Sequence, residues 1–262
     1  MSEELLSAVR IVGLSHMVVV SGYHLAVVVN QSKRLLGKVS RAAIIIGAFA
    51  IILLFISIAG FSASMMRAGI MTMISLSAWY FGRKIHPGRI LLYVASASLL
   101  RSPNLFQNIA WQLSFMSYMG IVFFSPILTS FLYGESKTGF LSSNIITSIS
   151  AQITCLPISI YNFGSFSIVG FLAVLLTTST VPFIMALTLV SAIIPPIAIV
   201  AKVLISYHLF VISALSQNTW AIVNLPNYQP AVFLLYLPII IIFIALKIRT
   251  NYDFRPRYTL DK

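Results

Sequence analysis

The sequence predicts an all-α fold: a polytopic transmembrane helical bundle of about nine membrane segments, some broken or re-entrant. Three observations lead there. Hydrophobic residues make up 59% of the 262 residues and charged residues only 8%, with a mean hydropathy of +0.97. A soluble domain carries roughly a quarter charged residues, because its surface faces water. The apolar residues come in long runs such as AAIIIGAFAIILLFISIAG at 42–60, which contains no charge. Barrel strands would instead alternate apolar and polar over about ten residues. Finally, all five acidic residues (Glu3, Glu4, Glu135, Asp253 and Asp261) fall outside the apolar runs.

The runs, in order, are 11–30, 43–60, 65–80, 90–100, 109–131, 143–161, 168–194, 197–219 and 231–246. The opening MSEELLSAVRIVGLSH is acidic rather than basic and is followed by no clear small-residue cleavage site. The first run is therefore expected to stay in the mature chain. Between the second and third runs lie Gly60, Ser62, Ala63 and Ser64, which with Ala68 and Gly69 permit close packing and a break. The 90–100 run is short for a bilayer core and is expected to extend or to be re-entrant. The next two runs carry polar clusters, WQLSFMSYMG at 111–120 and SAQITCLP at 150–157, the second followed by YNFG at 161–164. Cys155 is the single cysteine, which excludes an internal disulfide, and its apolar setting predicts buried packing. Pro182 lies inside 168–194, Pro195 and Pro196 end it, and Pro238 interrupts the last run. Proline in a membrane helix frees a carbonyl, so these positions are either ordinary kinks or broken helices lining a path.

Charge then gives orientation. Lys33, Arg34, Lys38 and Arg41 fill one loop, and Arg83, Lys84 and Arg89 fill another. Lys247, Arg249, Arg255, Arg257 and Lys262 crowd the C-terminus. Placing these in the cytoplasm also places Lys137 and Lys202 there, leaves Arg10 and Arg101 outside, and puts Arg67 within a span. The positive-inside rule then predicts an external N-terminus and a cytoplasmic C-terminus. It also accounts for most of the net charge of +12 without invoking nucleic acid. A membrane domain is expected over 1–247, with a basic cytoplasmic tail over 248–262. The carboxylate-free spans argue against a proton-driven carrier, which commonly uses intramembrane Asp or Glu.

Several polar positions need a role. In GLSHMVVVSGYHLAVVV, residues 13–29, Ser21 and His24 share a helical face, and His16 lies about 80° round from His24. Gly22 lets another backbone approach. This face is expected to meet protein or water rather than lipid. No carboxylate or thiolate lies nearby to complete a metal site, and no acid is available to orient a histidine in a hydrolase triad. Arg67, in ASMMRAGIM, either snorkels to the interface or points inward as a fixed positive charge. Gln112, Ser114 and Gln152 are neutral hydrogen-bonding positions, suited to phosphate or sugar oxygens and equally to helix pairing. No P-loop, GxGxxG, HExxH or CxxC pattern is present. No catalytic residue, metal or cofactor is expected, and the chain is not read as an enzyme.

Four stretches together resemble one family. GLSHMVVVSGYHLAVVV, FSASMMRAGIM, PNLFQNIAWQLSFMSYMGIVFFSP and SAQITCLPISIYNFGSFSIVGFLAVLLTTSTVPF are similar, in order, to the membrane domain of the ComEC-type competence proteins. The resemblance covers about residues 13–183 and implies a channel that imports single-stranded DNA across the bacterial inner membrane during natural transformation. It marks His16, Ser21, Gly22, His24, Arg67, Gln112, Ser114 and Gln152 as lining or packing the translocation path. It also implies membrane lipid as the surroundings, an external DNA-binding or nuclease protein and a cytoplasmic helicase or translocase as partners, and leaves a homo-oligomer open. Many family members carry an oligonucleotide-binding domain and a metallo-β-lactamase-like domain, and 262 residues leave room for neither. The chain is thus expected to be a split, minimal, fragmentary or inactive member. Physically, a sequence-tolerant strand channel needs positive potential for phosphates and aromatic or apolar faces for bases. The competing readings are a small-solute or lipid-linked transporter with broken helices, and a membrane enzyme using the His16/His24 face.

Overall fold

The computed structural model describes residues 8, 40–59, 63–83, 85–134, 138–167, 169–178, 180–191, 194–217, 222–224 and 230–250. The first predicted span, the acidic residues and most of the basic tail lie outside the described residues.

The described chain is helical apart from one short ribbon. Helices α1 (Arg41–Ala59) and α2 (Ala63–Tyr80) form a pair. The small residues between the second and third predicted runs thus coincide with a change of helix. Ala48, Ile52 and Ile56 of α1 pack against Met65, Ala68 and Leu76 of α2, all nearly inaccessible. A turn leads to α3 (Pro87–Arg101). Its N-cap His86 accepts the Gly88 amide through its side chain, and Pro87 opens the first turn, where a missing N–H costs nothing. The predicted 90–100 run therefore extends at its N-terminus. Its 15 residues still fall short of the roughly 20 that a crossing needs.

A 3₁₀ turn, Pro103–Gln107, follows, and Asn108 caps α4 (Ile109–Met119). Helix α4 runs through a π-helical turn, Gly120–Phe124, into α5 (Ser125–Tyr133). Pro126 explains the wide turn: it has no N–H to donate, and its ring would strike the carbonyl four residues back in a regular helix. The long α6 (Phe140–Phe163) packs antiparallel to this composite helix. It continues through buried Pro157 and ends at Gly164, whose φ of 62° is left-handed.

The predicted 168–194 span is not one helix. The structure divides it into α7 (Val169–Thr178) and α8 (Val181–Ser191), of 10 and 11 residues. At 1.5 Å per residue each is only about 15 Å long, half a bilayer core. Pro182 sits in the first turn of α8, where its missing N–H costs nothing. Pro195 and Pro196 open a 3₁₀ turn leading into α9 (Ala198–Ser216). Pro238 does not interrupt the last run; it lies in the first turn of α10 (Tyr236–Thr250), after a 3₁₀ turn at Pro230–Leu235. Strands β1 (Ser165–Ser167) and β2 (Ile222–Asn224) pair antiparallel, Phe166 opposite Val223. That ribbon was not visible as a periodic pattern in so apolar a sequence.

Among the described residues, four helical stretches are long and apolar enough to cross a membrane: Ile109–Tyr133, Leu141–Phe163, Pro195–Ser216 and Val232–Thr250. This supports a membrane protein but not the predicted count of about nine crossings. Large apolar side chains face outward all along these helices, among them Phe210, Ile241 and Ile248, each more than 60% exposed. Lipid is the solvent that tolerates such a surface.

Candidate functional site

The site is built where α2, α4 and α6 meet. The seam between α4 and α6 is unusually close. A side chain at Gly120 would overlap the Ser150 carbonyl and the Thr154 hydroxyl, so only glycine lets these backbones approach. Thr154 Oγ1 donates within a cluster of three carbonyls, Met116 O at 2.9 Å, Ala151 O at 3.0 Å and Ser150 O at 3.1 Å. One proton serves one carbonyl at a time, and the first of these crosses between helices. Cys155 Sγ donates to Leu113 O at 3.3 Å, which ties the same seam one position on. Tyr236 Oη reaches Thr154 O at 3.3 Å and brings α10 to the same place.

This seam sets the floor beneath Arg67. The Arg67 side chain leaves α2 and turns inward, with only 9% of its surface exposed. It does not snorkel. Its guanidinium lies 5.1 Å from the ring centroid of Phe115 and 5.9 Å from that of Tyr118, on successive turns of one α4 face. The Nη1 group points at Met71 Sδ, 3.8 Å away, a weak acceptor. The Nε–H is buried and has no hydrogen-bond partner. Cys155 is a further electrostatic neighbour, from α6. No acidic side chain occurs among the described residues, because all five lie at 3, 4, 135, 253 and 261. Arg67 is therefore a buried cation held by aromatic faces, with one donor free and no described counter-ion. Such a group has a strong unmet demand for an anion or acceptor.

The other positions singled out in the sequence divide into three. His16, Ser21, Gly22 and His24 lie outside the described residues. Ser114 is buried on α4, next to Phe115, and its carbonyl accepts the Ser117 hydroxyl at 3.0 Å. Gln152 is half-buried on α6, one turn before Cys155. Gln112 is occupied elsewhere: its Nε2 donates to the Phe106 carbonyl at 2.8 Å and clamps the 3₁₀ turn ahead of α4. Arg67 and Gln112 thus do not share a hydrogen-bonding partner. What brings Arg67 to α4 is aromatic rather than amide chemistry.

Phe115 and Tyr118 were missed because an aromatic residue in an apolar run carries no signal of its own. Their i,i+3 spacing puts them on one helical face, but nothing in the sequence ties that face to Arg67. A second polar feature was also missed. At the α7–α8 joint, Thr180 Oγ1 and His208 Nε2 of α9 are hydrogen-bonded. The Thr180 hydroxyl also reaches Thr177 O at 2.8 Å, so the joint is tied both within its own turn and to α9. His208 thereby holds the broken helix together. The TTST run at 177–180 just before Pro182 was its sequence trace. No group of three or more histidine, cysteine or acidic side chains placed to hold a metal occurs among the described residues.

Residues 1–250 match the family model described as Competence protein. Among curated proteins, the chain is 27% identical over 172 residues to ComE operon protein 3 of Bacillus subtilis (strain 168). That match takes in 64% of this chain and 21% of the relative, so the chain spans about a fifth of the length of the protein it matches. No solved structure matches.

Proposed function

The chain belongs to the competence protein family, and from that membership we propose that it forms a path for single-stranded DNA across the bacterial inner membrane during natural transformation. The observation that carries this reading is Arg67, a buried cation on an aromatic bed with a free donor and no acidic side chain among the described residues. A phosphodiester passing such a group gains a charge-assisted contact without displacing a resident carboxylate. One fixed charge flanked by ring faces holds a strand weakly enough to release it, as conduction requires. Ser114 lies beside this bed, and Gln152 is on the helix that contributes Cys155; in this reading they pack the path. His16, Ser21, Gly22 and His24, which lie outside the described residues, belong to the same path in this reading through the family motif alone.

The protein is not an enzyme in this account. No nucleotide-binding pattern is present, so a separate cytoplasmic helicase or translocase supplies the driving force, and an external protein delivers the strand. The basic loops and tail face the cytoplasm, where their charge attracts emerging DNA.

The test is transformation by an Arg67→Glu variant. Uptake is expected to be abolished while the protein inserts at its normal level. Normal transformation at normal protein level would remove Arg67 from the path. One feature favours a different reading: the α7–α8 break is of the kind that solute transporters use for binding at mid-membrane. If vesicles carrying the protein exclude single-stranded DNA yet accumulate a small solute, that reading replaces the first.

A further inference from the structure

The corner between α3 and α4 carries a row of aromatic rings that leads to Arg67. Phe106 stands in the 3₁₀ turn with 63% of its surface exposed. Its ring centroid is 6.2 Å from that of Trp111, which lies half-buried in the first turn of α4. Trp111 in turn stacks at 4.4 Å on Phe115, tilted by 34°. Phe115 is 7% exposed and carries the Arg67 guanidinium. The row thus runs from an exposed ring to a buried cation.

Its outer end is polar. Arg101, Asn104, Gln107 and Asn108 are all exposed around Phe106 in the sequence, so this turn lies where the helices meet water. The turn is also fixed in place. Gln112 Nε2 holds the Phe106 carbonyl at 2.8 Å, Asn108 Oδ1 accepts the Trp111 amide at 3.1 Å, and Trp111 Nε1 donates to Ser98 Oγ at 3.0 Å. Three polar side chains thus fix the platform, Gln112 and Asn108 through the backbone of Phe106 and Trp111, and Ser98 through the Trp111 ring itself.

We propose that Phe106 and Trp111 form a stacking platform for the unpaired bases of single-stranded DNA, with Arg101 taking a phosphate at the rim and Gln112 acting as a positioning residue for Phe106. This rests on the reading of the chain as a path for single-stranded DNA. Every base has a π-face, so stacking on rings is tolerant of sequence, and a cation at the far end suits the phosphate that follows. A ring that merely anchored the protein at the membrane surface would need neither the ordered row nor the buried cation at its end.

The experiment uses the full chain in lipid nanodiscs and two fluorescent probes of equal length and charge, an oligothymidylate and an abasic oligonucleotide. Phe106→Leu keeps the apolar volume and removes the π-face. It is expected to weaken oligothymidylate binding by about 5- to 100-fold and leave abasic binding unchanged. Phe106→Trp keeps the ring and is expected to bind as the wild type does. Gln112→Leu is expected to weaken oligothymidylate binding and leave abasic binding unchanged, as a residue acting through Phe106 would. Equal losses on both probes would make Phe106 a structural residue, and no loss on either would make it a surface anchor; each overturns the platform. Wild-type protein that binds neither probe would instead overturn the DNA-path reading itself.

Discussion

Replacing Arg67 with Met should make the protein more stable and less competent. The substitution keeps an unbranched side chain among Met71, Phe115 and Tyr118 and removes the charge. Two cation–π contacts are lost, at 5.1 and 5.9 Å, each contributing about 0.5–2 kcal/mol in a desolvated setting. Against that, the partnerless Nε–H disappears, a penalty of about 1–3 kcal/mol. The desolvation of a buried charge with no described counter-ion also disappears, and that is worth several kcal/mol. The balance favours the variant by about 1–3 kcal/mol. For a chain of 262 residues that is a rise in melting temperature of about 2–12 °C. Thermal unfolding of purified wild type and variant in the same detergent reads the first effect, and transformation frequency reads the second. A residue retained for function against stability gives opposite signs in the two assays. A variant that melts lower than wild type would refute the reasoning, because Arg67 would then be a structural group whose partners outweigh its burial.

Three further outcomes follow from the packing. Gly120→Ala is expected to lower stability by about 1–3 kcal/mol, since the new methyl meets the Ser150 backbone, which cannot swing aside; a wild-type melting curve would mean the α4–α6 seam is looser than described. His208→Phe and Thr180→Val are each expected to destabilise by about 1 kcal/mol, with the double variant losing less than the sum of the two, because the two side chains share one hydrogen bond; fully additive losses would separate the two residues. Gln112→Leu is expected to speed amide exchange across Pro103–Asn108 while leaving the body of α4 protected, and unchanged exchange would deny the clamp on Phe106.

Hydropathy located the helices that contain enough contrast with their flanks. Phe140–Phe163 and Ala198–Ser216 fall close to the runs at 143–161 and 197–219, because Gly139 and Gly164 or Pro196 and Gln217 bound them. It failed at 168–194, where the residues on both sides of the joint are equally apolar and only Thr177, Thr180 and Pro182 mark the break. Two of the predicted runs form helices of only 15 and 10 residues, and four helical stretches among the described residues have the length and apolarity of a crossing, so the count of about nine is not confirmed. At the candidate site, Arg67 was legible because a charge in an apolar run has to be accounted for. Gln112 was legible as important but not in its role, since an amide that clamps a turn and one that lines a path look the same in sequence. The aromatic bed could not be read at all without knowing that α2 and α4 touch.

The most direct measurement is the fate of labelled single-stranded DNA mixed with vesicles that hold the purified protein. Strand protected from external nuclease by wild-type vesicles, and not by vesicles holding Arg67→Glu, is the result expected of a path that runs past this arginine. Equal protection in both, or none in the wild type whichever way the protein inserts, would contradict it.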